Sequence, residues 1–159
     1  MKTKRLTIFL LFFASQVFAS DDLNGTNLFC EEHNLFVTYN FLENKRYQTT
    51  NYFLVHFDIG IREGTYGYLN NPRYLYLKAD KKLVIYNKLK KTDNEKNWKK
   101  KVVEVPKLDY YLDTKDLYIT FSPGKHSMIK SSCKLFDGTA DELRESSLKK
   151  YLKNFDNDN

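Results

Sequence analysis

Apolar residues fall at every second position through most of the chain, the signature of strands buried on one face. Leu35, Val37, Tyr39 and Phe41 share a face of a strand over 35–41. From Tyr52 to Ile61, one face carries Phe53, Val55, Phe57, Ile59 and Ile61, and the other Tyr52, Leu54, His56 and Asp58; the segment reads as one strand. Asn70-Asn71-Pro72 predicts a turn between an aromatic strand ending near Tyr66 and Tyr68 and another opening at Arg73. Two similar segments follow. Tyr76-Leu77 leads through a polar turn to Lys81-Lys82-Leu83-Val84-Ile85, and Tyr111-Leu112 leads through Asp113-Thr114 to Lys115-Asp116-Leu117-Tyr118-Ile119. Each predicts a hairpin, whether by duplication or by obedience to the same rules. Leu108, Tyr110 and Leu112, then Leu117, Ile119 and Phe121, alternate inward. Ser122-Pro123-Gly124-Lys125 is the next turn, and Met128 to Leu135 the last strand.

The period changes after Asp137-Gly138. Thr139 is a good N-cap, and Glu142 three residues on completes a capping box. Leu148, Tyr151, Leu152 and Phe155 then line one side of a helix, with Leu143 at its edge. Many strands followed by one helix predict a mainly β protein. The expected architecture is an antiparallel meander, a small barrel or a sandwich, with a C-terminal amphipathic helix packed on its side. The expected layout is a β-rich domain over 20–136, the helix over 137–155 on the same domain, and a polar tail over 156–159.

The start of the chain has a different character. Lys2, Lys4 and Arg5 precede an apolar run from Leu6 to Ala14, and Val17-Phe18-Ala19 resembles a cleavage site before Ser20. Residues 1–19 therefore predict a secretory signal peptide, too short to span a bilayer. Its removal lowers the net charge from +6 to +3, with 23 basic and 20 acidic residues left. That balance is too mild for a dedicated nucleic-acid binder. Cys30 and Cys133 both survive cleavage, and two cysteines in an exported chain predict one structural disulfide. Such a bond would tie the first strand to the last, as closure of a barrel requires. Abundant Lys, Asn, Tyr and Phe beside scarce Ala and Gly point to an AT-rich genome, and with the signal to a bacterial periplasm or, failing that, an extracellular location.

Two clusters carry candidate chemistry. From Lys78 to Lys107 there are eleven lysines against Asp80, Asp93, Glu95 and Glu104, a net of +7, which leaves the rest of the mature chain near −4. Within it, Leu89 to Lys101 reads as a long hairpin loop holding the sole tryptophan. Lys90, Lys91, Trp98, Lys99, Lys100 and Lys101 make a candidate docking loop for lipid headgroups, an anionic glycan or an acidic partner. The alternative is a solvated hairpin whose Trp98 folds back onto the sheet. Tyr66, Tyr68, Tyr74 and Tyr76 make a candidate pocket for a small ligand, offering ring faces and hydroxyls together, although aromatic cross-strand pairs also stabilise sheets.

Nothing in the chain predicts a catalytic residue, a metal site or a cofactor. His33, His56 and His126 have no ligand spacing, and the sequence contains no nucleophile elbow, no Gly-rich phosphate loop and no H-E-x-x-H. His56 with Asp58 is the one pair an enzyme reading would inspect.

The Tyr-x-Leu hairpins, an early Cys30 after Leu23-Asn24-Gly25 and the late Cys133 resemble small uncharacterised exported proteins of AT-rich alphaproteobacteria. The overall plan also resembles the lipocalin architecture. Gly25-Thr26-Asn27 has Asn where the lipocalin opening Gly-x-Trp has Trp, so no family residue is carried over. The expected function is a non-enzymatic, monomeric, exported binding protein. Its expected partner is an envelope component, with peripheral contact to a membrane surface included. A carrier holding a small ligand among the tyrosines is the alternative, and an enzyme without a recognisable motif comes third.

Overall fold

The computed structural model describes residues 23–32, 35–54, 58–87, 98–122 and 129–157. Nine strands are followed by one helix: β1 (Asn27–Glu32), β2 (Leu35–Leu42), β3 (Arg46–Phe53), β4 (Asp58–Tyr68), β5 (Tyr74–Asn87), β6 (Lys99–Glu104), β7 (Asp109–Asp113), β8 (Tyr118–Thr120), β9 (Ile129–Leu135) and α1 (Ala140–Asn157). Every pairing is antiparallel. The strands run in the order β4-β3-β2-β1-β9-β8-β7-β5, and β5 pairs again with β4, so eight strands close into a barrel. β6 stands outside the ring, attached to β5.

The sheet closes where the two ends of the meander meet. Cys30 of β1 sits directly opposite Cys133 of β9, and the two form a disulfide with Cα atoms 4.0 Å apart. The bond lies on the inner face, beside Leu28, Val37, Tyr39, Phe41, Tyr47, Tyr66, Leu75, Leu77, Leu112 and Ile119. These side chains fill the lumen, so the apolar face of the alternation points inward, the reverse of a lipid-facing barrel.

The strand pattern differs from expectation in more than one place. Tyr52 to Ile61 is not one strand but the end of β3 and the start of β4, with Phe53 opposite Asp58. The face expected to hold Phe53, Ile59 and Ile61 together is split: Ile59 stands opposite Tyr52 and Ile61 opposite Thr50, on the outer face, while Phe53 is on the other. The two look-alike segments also diverge. At Asp113 the chain does turn: one carboxylate oxygen accepts the amides of Lys115 and Asp116, each at 2.9 Å. The position equivalent to Asp113 in the first copy is Lys78, which has no acceptor with which to hold such a turn. There β5 runs on, for 14 residues in all. Leu108 and Phe121, expected inside, lie at strand ends and are 42% and 49% exposed.

The extra length of β5 is accommodated by an irregularity. Between the pairs Arg62–Leu83 and Gly64–Ala79, β5 spends three residues against one of β4. Before this bulge β5 pairs with β7 through Tyr74–Lys78; after it, with β6 through Lys82–Asn87. Arg62 holds the junction, donating from Nε to the Asp80 carbonyl at 2.5 Å and from Nη2 to the Pro106 carbonyl at 2.9 Å. Gly64 is required here, since a Cβ would stand 2.4 Å from the Lys78 carbonyl and 2.7 Å from the Tyr47 ring.

A polar clamp joins the β4–β5 turn to the β7–β8 turn. Arg73 Nε meets the buried Asp113 carboxylate at 2.6 Å, and Nη2 meets Asp116 at 2.6 Å. Burial pushes the Asp113 carboxyl up, but the Asp116 amide, the Arg73 guanidinium and the Lys115 amide together hold it below the usual aspartate range.

Two stability predictions follow from this closure. Cys30→Ser with Cys133→Ser is expected to lose about 4 kcal/mol in urea unfolding while keeping its β-sheet circular dichroism; a loss below about 1 kcal/mol would leave closure to the sheet hydrogen bonds alone. A carboxyl with a depressed folded pKa stabilises fully above its unfolded value, 3.8 here, and that contribution disappears as pH falls through the lower folded value. Urea midpoints should therefore drop steeply on acidification, and Asp113→Asn should lower the neutral-pH midpoint while flattening that acid limb.

Candidate functional site

The helix begins as its sequence dictates. Glu142 N donates to Thr139 Oγ1 at 3.2 Å, and the Glu142 carboxylate accepts the Thr139 amide at 2.7 Å, completing the capping box. Leu143, Ser147 and Tyr151, spaced by four, form the buried line of α1, with Leu148 and Leu152 half-buried beside it. The apolar side is thus centred one strip away from the Leu148–Leu152 line expected, and the Phe155 side chain lies outside those described. The helix covers the outer wall of the barrel, not its mouth: it packs on Phe29, Phe36 and Tyr52, which alternate with the lumen residues. Lys150 lies over the Phe29 and Phe36 rings, 4.8 and 5.5 Å from their centroids, and its ammonium ion-pairs with Glu31. That hydrogen bond holds the Glu31 carboxyl below its ordinary range against the opposing effect of burial.

Trp98 belongs to the same outer core. It immediately precedes β6, is 8% exposed, and meets Tyr151 edge-on with centroids 6.4 Å apart. Tyr151 in turn lies 5.8 Å from Tyr52, which stacks on Phe36 at 4.7 Å. The expectation of an exposed indole on a docking loop is therefore corrected: Trp98 folds back onto the sheet. The physical reason is the bare aromatic strip that Ile59 and Tyr52 offer on the outer wall beside α1.

Between α1 and this wall a cleft of about 140 Å³ stays open, lined by Thr50, Tyr52, Ile59, Ile61, Tyr86, Trp98, Arg144 and Leu148. Aromatic and aliphatic side chains share its lining with Thr50 and Arg144, so its surface is about as polar as apolar; the lining contains one cation and no carboxylate. Apart from Trp98, the sequence reading missed this set. Ile59 and Ile61 were legible as strand-face residues, but their meeting with Arg144 and Leu148 depends on where the helix docks.

The lysines expected on the loop divide. Lys90 and Lys91 lie outside the described residues. Lys99, Lys100 and Lys101 are exposed and belong to β6, not to a loop. They alternate across the strand: Lys100 stands opposite Tyr86, on the face of the cleft, while Lys99 and Lys101 point the other way, opposite Asn87 and Ile85. Among the described residues β6 has no neighbour along its far edge.

The four tyrosines do not converge, which corrects the expected pocket. Tyr66 stands opposite Leu77 and Tyr68 opposite Leu75, so both point into the lumen; Tyr76 stands opposite Gly67, one step out of phase. Tyr66 Oη there accepts the Leu23 amide at 3.1 Å. Tyr74 and Tyr76 face outward. Tyr76 packs on Tyr111 with centroids 5.6 Å apart, and its hydroxyl, bonded to Asp109 and partly desolvated, is pushed up to about 12. The pair formed by His56 and Asp58 cannot be placed, because His56 lies outside the described residues; Asp58 itself accepts from Asn87 Nδ2 at 2.5 Å. Among the described residues no three metal-ligating side chains gather. No family model, curated protein or solved structure matches the chain.

The burial of Trp98 has a direct readout, since it is the sole tryptophan. Its native emission should be blue-shifted and poorly quenched by iodide, and Trp98→Ala should cost about 3 kcal/mol of stability in urea unfolding. Emission already red-shifted and quenchable before unfolding would place the indole in water.

Proposed function

We propose that this is a non-catalytic binding protein, exported to the bacterial periplasm, that docks an acidic partner through strand β6. The observation that carries the reading is the run Lys99-Lys100-Lys101, exposed on a strand whose far edge has no neighbour among the described residues. Export rests on the character of residues 1–19, and the Cys30–Cys133 disulfide agrees with an oxidising compartment.

The arrangement favours an extended acidic polypeptide over a flat anionic surface. A plane of lipid headgroups reaches one face of a strand at a time, and here the charges alternate between both. A chain added along β6 meets all three lysines as cross-strand neighbours and takes up the open backbone groups. Unpartnered, the same lysines keep copies of the protein from pairing edge to edge. Trp98 anchors the start of β6 and takes no part in contact. A carrier function in the lumen has less support, because Leu, Tyr and Phe side chains occupy it.

Fluorescent poly-L-glutamate, heparin and phosphatidylglycerol vesicles, each titrated with the mature disulfide-bonded protein, test this. Poly-L-glutamate should bind, weaken with salt, and lose at least about tenfold in affinity, 1.4 kcal/mol, in the combined Lys99→Glu, Lys100→Glu, Lys101→Glu variant. Unchanged Trp98 emission would show that the variant keeps its fold. Equal binding by the variant, or binding to vesicles or heparin alone, would overturn the acidic-chain reading.

A further inference from the structure

The cleft beneath α1 is distinct from the β6 edge and has features of a ligand site in its own right. α1 is seated by Leu143, Ser147 and Tyr151, which leaves the next strip of the helix raised from the sheet. Leu148 on the helix and Ile61 and Tyr86 on the wall are only partly buried, so each presents apolar surface to the opening. Tyr52, Ile59 and Trp98 form its deeper, almost fully buried side, at 1%, 5% and 8% exposure. A space of about 140 Å³ has room for one six-membered ring, with polar groups beside the apolar ones at its surface.

Charge narrows the class. Arg144 is exposed at the cleft and is the one ionic group in its lining. Lys100, exposed and paired with Tyr86, adds a second cation on the same face. These two groups attract an anion and repel a cation.

We infer that the cleft between α1 and the outer wall binds a small monocyclic carboxylate, its ring against Trp98, Tyr52 and Tyr86 and its anionic group toward Arg144. The ring lays its apolar surface against the buried side formed by Tyr52, Ile59 and Trp98. The carboxylate remains at the rim, where a guanidinium offers paired donors without full desolvation. The inference does not depend on the β6 reading, because the ligand enters between helix and sheet and not along the strand edge.

Trp98 reports occupancy directly. The mature protein would be titrated with phenylacetate, with benzyl alcohol as the ring without charge and acetate as the charge without ring. Tryptophan emission and the thermal midpoint would both be read. Phenylacetate should give a saturable change in emission and raise the midpoint, and acetate should do neither. Arg144→Gln, an exposed helix position, should weaken phenylacetate about tenfold and leave benzyl alcohol unchanged. Ile61→Phe fills the cleft from a half-buried strand position and should abolish saturation by both ring compounds while the unliganded midpoint is retained. Phenylacetate binding undiminished in Ile61→Phe would overturn the site. Equal affinities for phenylacetate and benzyl alcohol, with no effect of Arg144→Gln, would overturn the carboxylate. Absence of saturation in the parent protein by either readout would overturn both.

Discussion

A closed ring of eight strands has no free edge, and the described residues supply nine strands. Most of what lies outside the lumen depends on how the surplus one is housed. The solution is β5, long enough for two partners in succession on one edge while β4 spans its whole length on the other. Such a division needs a point at which the strand can bend, and the bulge at Asp80–Lys82 provides it. A bulge leaves carbonyls unpaired, and Arg62 answers them. Arg62 is 9% exposed, and its guanidinium donates to two main-chain carbonyls. A charge so placed is tolerable because its donors meet one carbonyl of the bulge, that of Asp80, and one of the chain leaving β6, that of Pro106. Gly64 across the bulge then admits the backbone that any side chain would exclude.

Housing β6 in this way extends the outer wall beyond the barrel, and an outer wall rich in Phe, Tyr and Ile must be covered. Two covers arrive from opposite directions. α1 lies over Phe29, Phe36 and Tyr52, and the chain entering β6 lays Trp98 against Ile59 and Tyr151. Lys150 seals the helix edge with its ammonium over the Phe29 and Phe36 rings and paired with Glu31, so one cation serves two rings and a carboxylate. The covers are joined by the aromatic row from Phe36 through Tyr52 and Tyr151 to Trp98, but they do not meet along their whole length. The cleft is what remains between them. It therefore follows from the placement of the ninth strand as directly as the lysine edge does.

Much of this was legible in the sequence. Alternation located most strands, Asn70-Asn71-Pro72 marked its turn, and Thr139 with Glu142 fixed the start of the helix. The Cys30–Cys133 bond and the closure it implies were also readable, because only a barrel brings the first and last strands together in a meander. Register was not. Tyr66 and Tyr76 look alike in sequence, yet Tyr76 faces Gly67 rather than Tyr66, and that single step sends it to the opposite side of the sheet. The reversal between Phe53 and Asp58 was hidden for a related reason: the apolar residues keep one spacing in the sequence while the faces they occupy exchange, Phe53 on one and Ile59 on the other. The contrast between Asp113 and Lys78 could have been read, since a turn needs an acceptor that lysine lacks. For Trp98 the sequence offered both outcomes, exposed on a docking loop or folded back onto the sheet, and the choice depends on an outer-wall strip more than 35 residues away.

The electrostatics draw the two proposed surfaces together. The segment from Lys78 to Lys107 carries +7 and the rest of the chain after Ala19 about −4, so the charge is polarised instead of spread. β6 sits inside the positive part, and its Lys100 pairs across the strand with Tyr86, which lines the cleft. An anion held near Arg144 would lower the positive potential felt at Lys100, and an acidic chain along β6 would lower it at the cleft. Occupants of like charge sharing one field oppose each other by Coulomb repulsion, and partial solvent exposure screens that repulsion without removing it. The two surfaces are thus chemically alike but energetically antagonistic, and by linkage each occupant must weaken the other by the same factor.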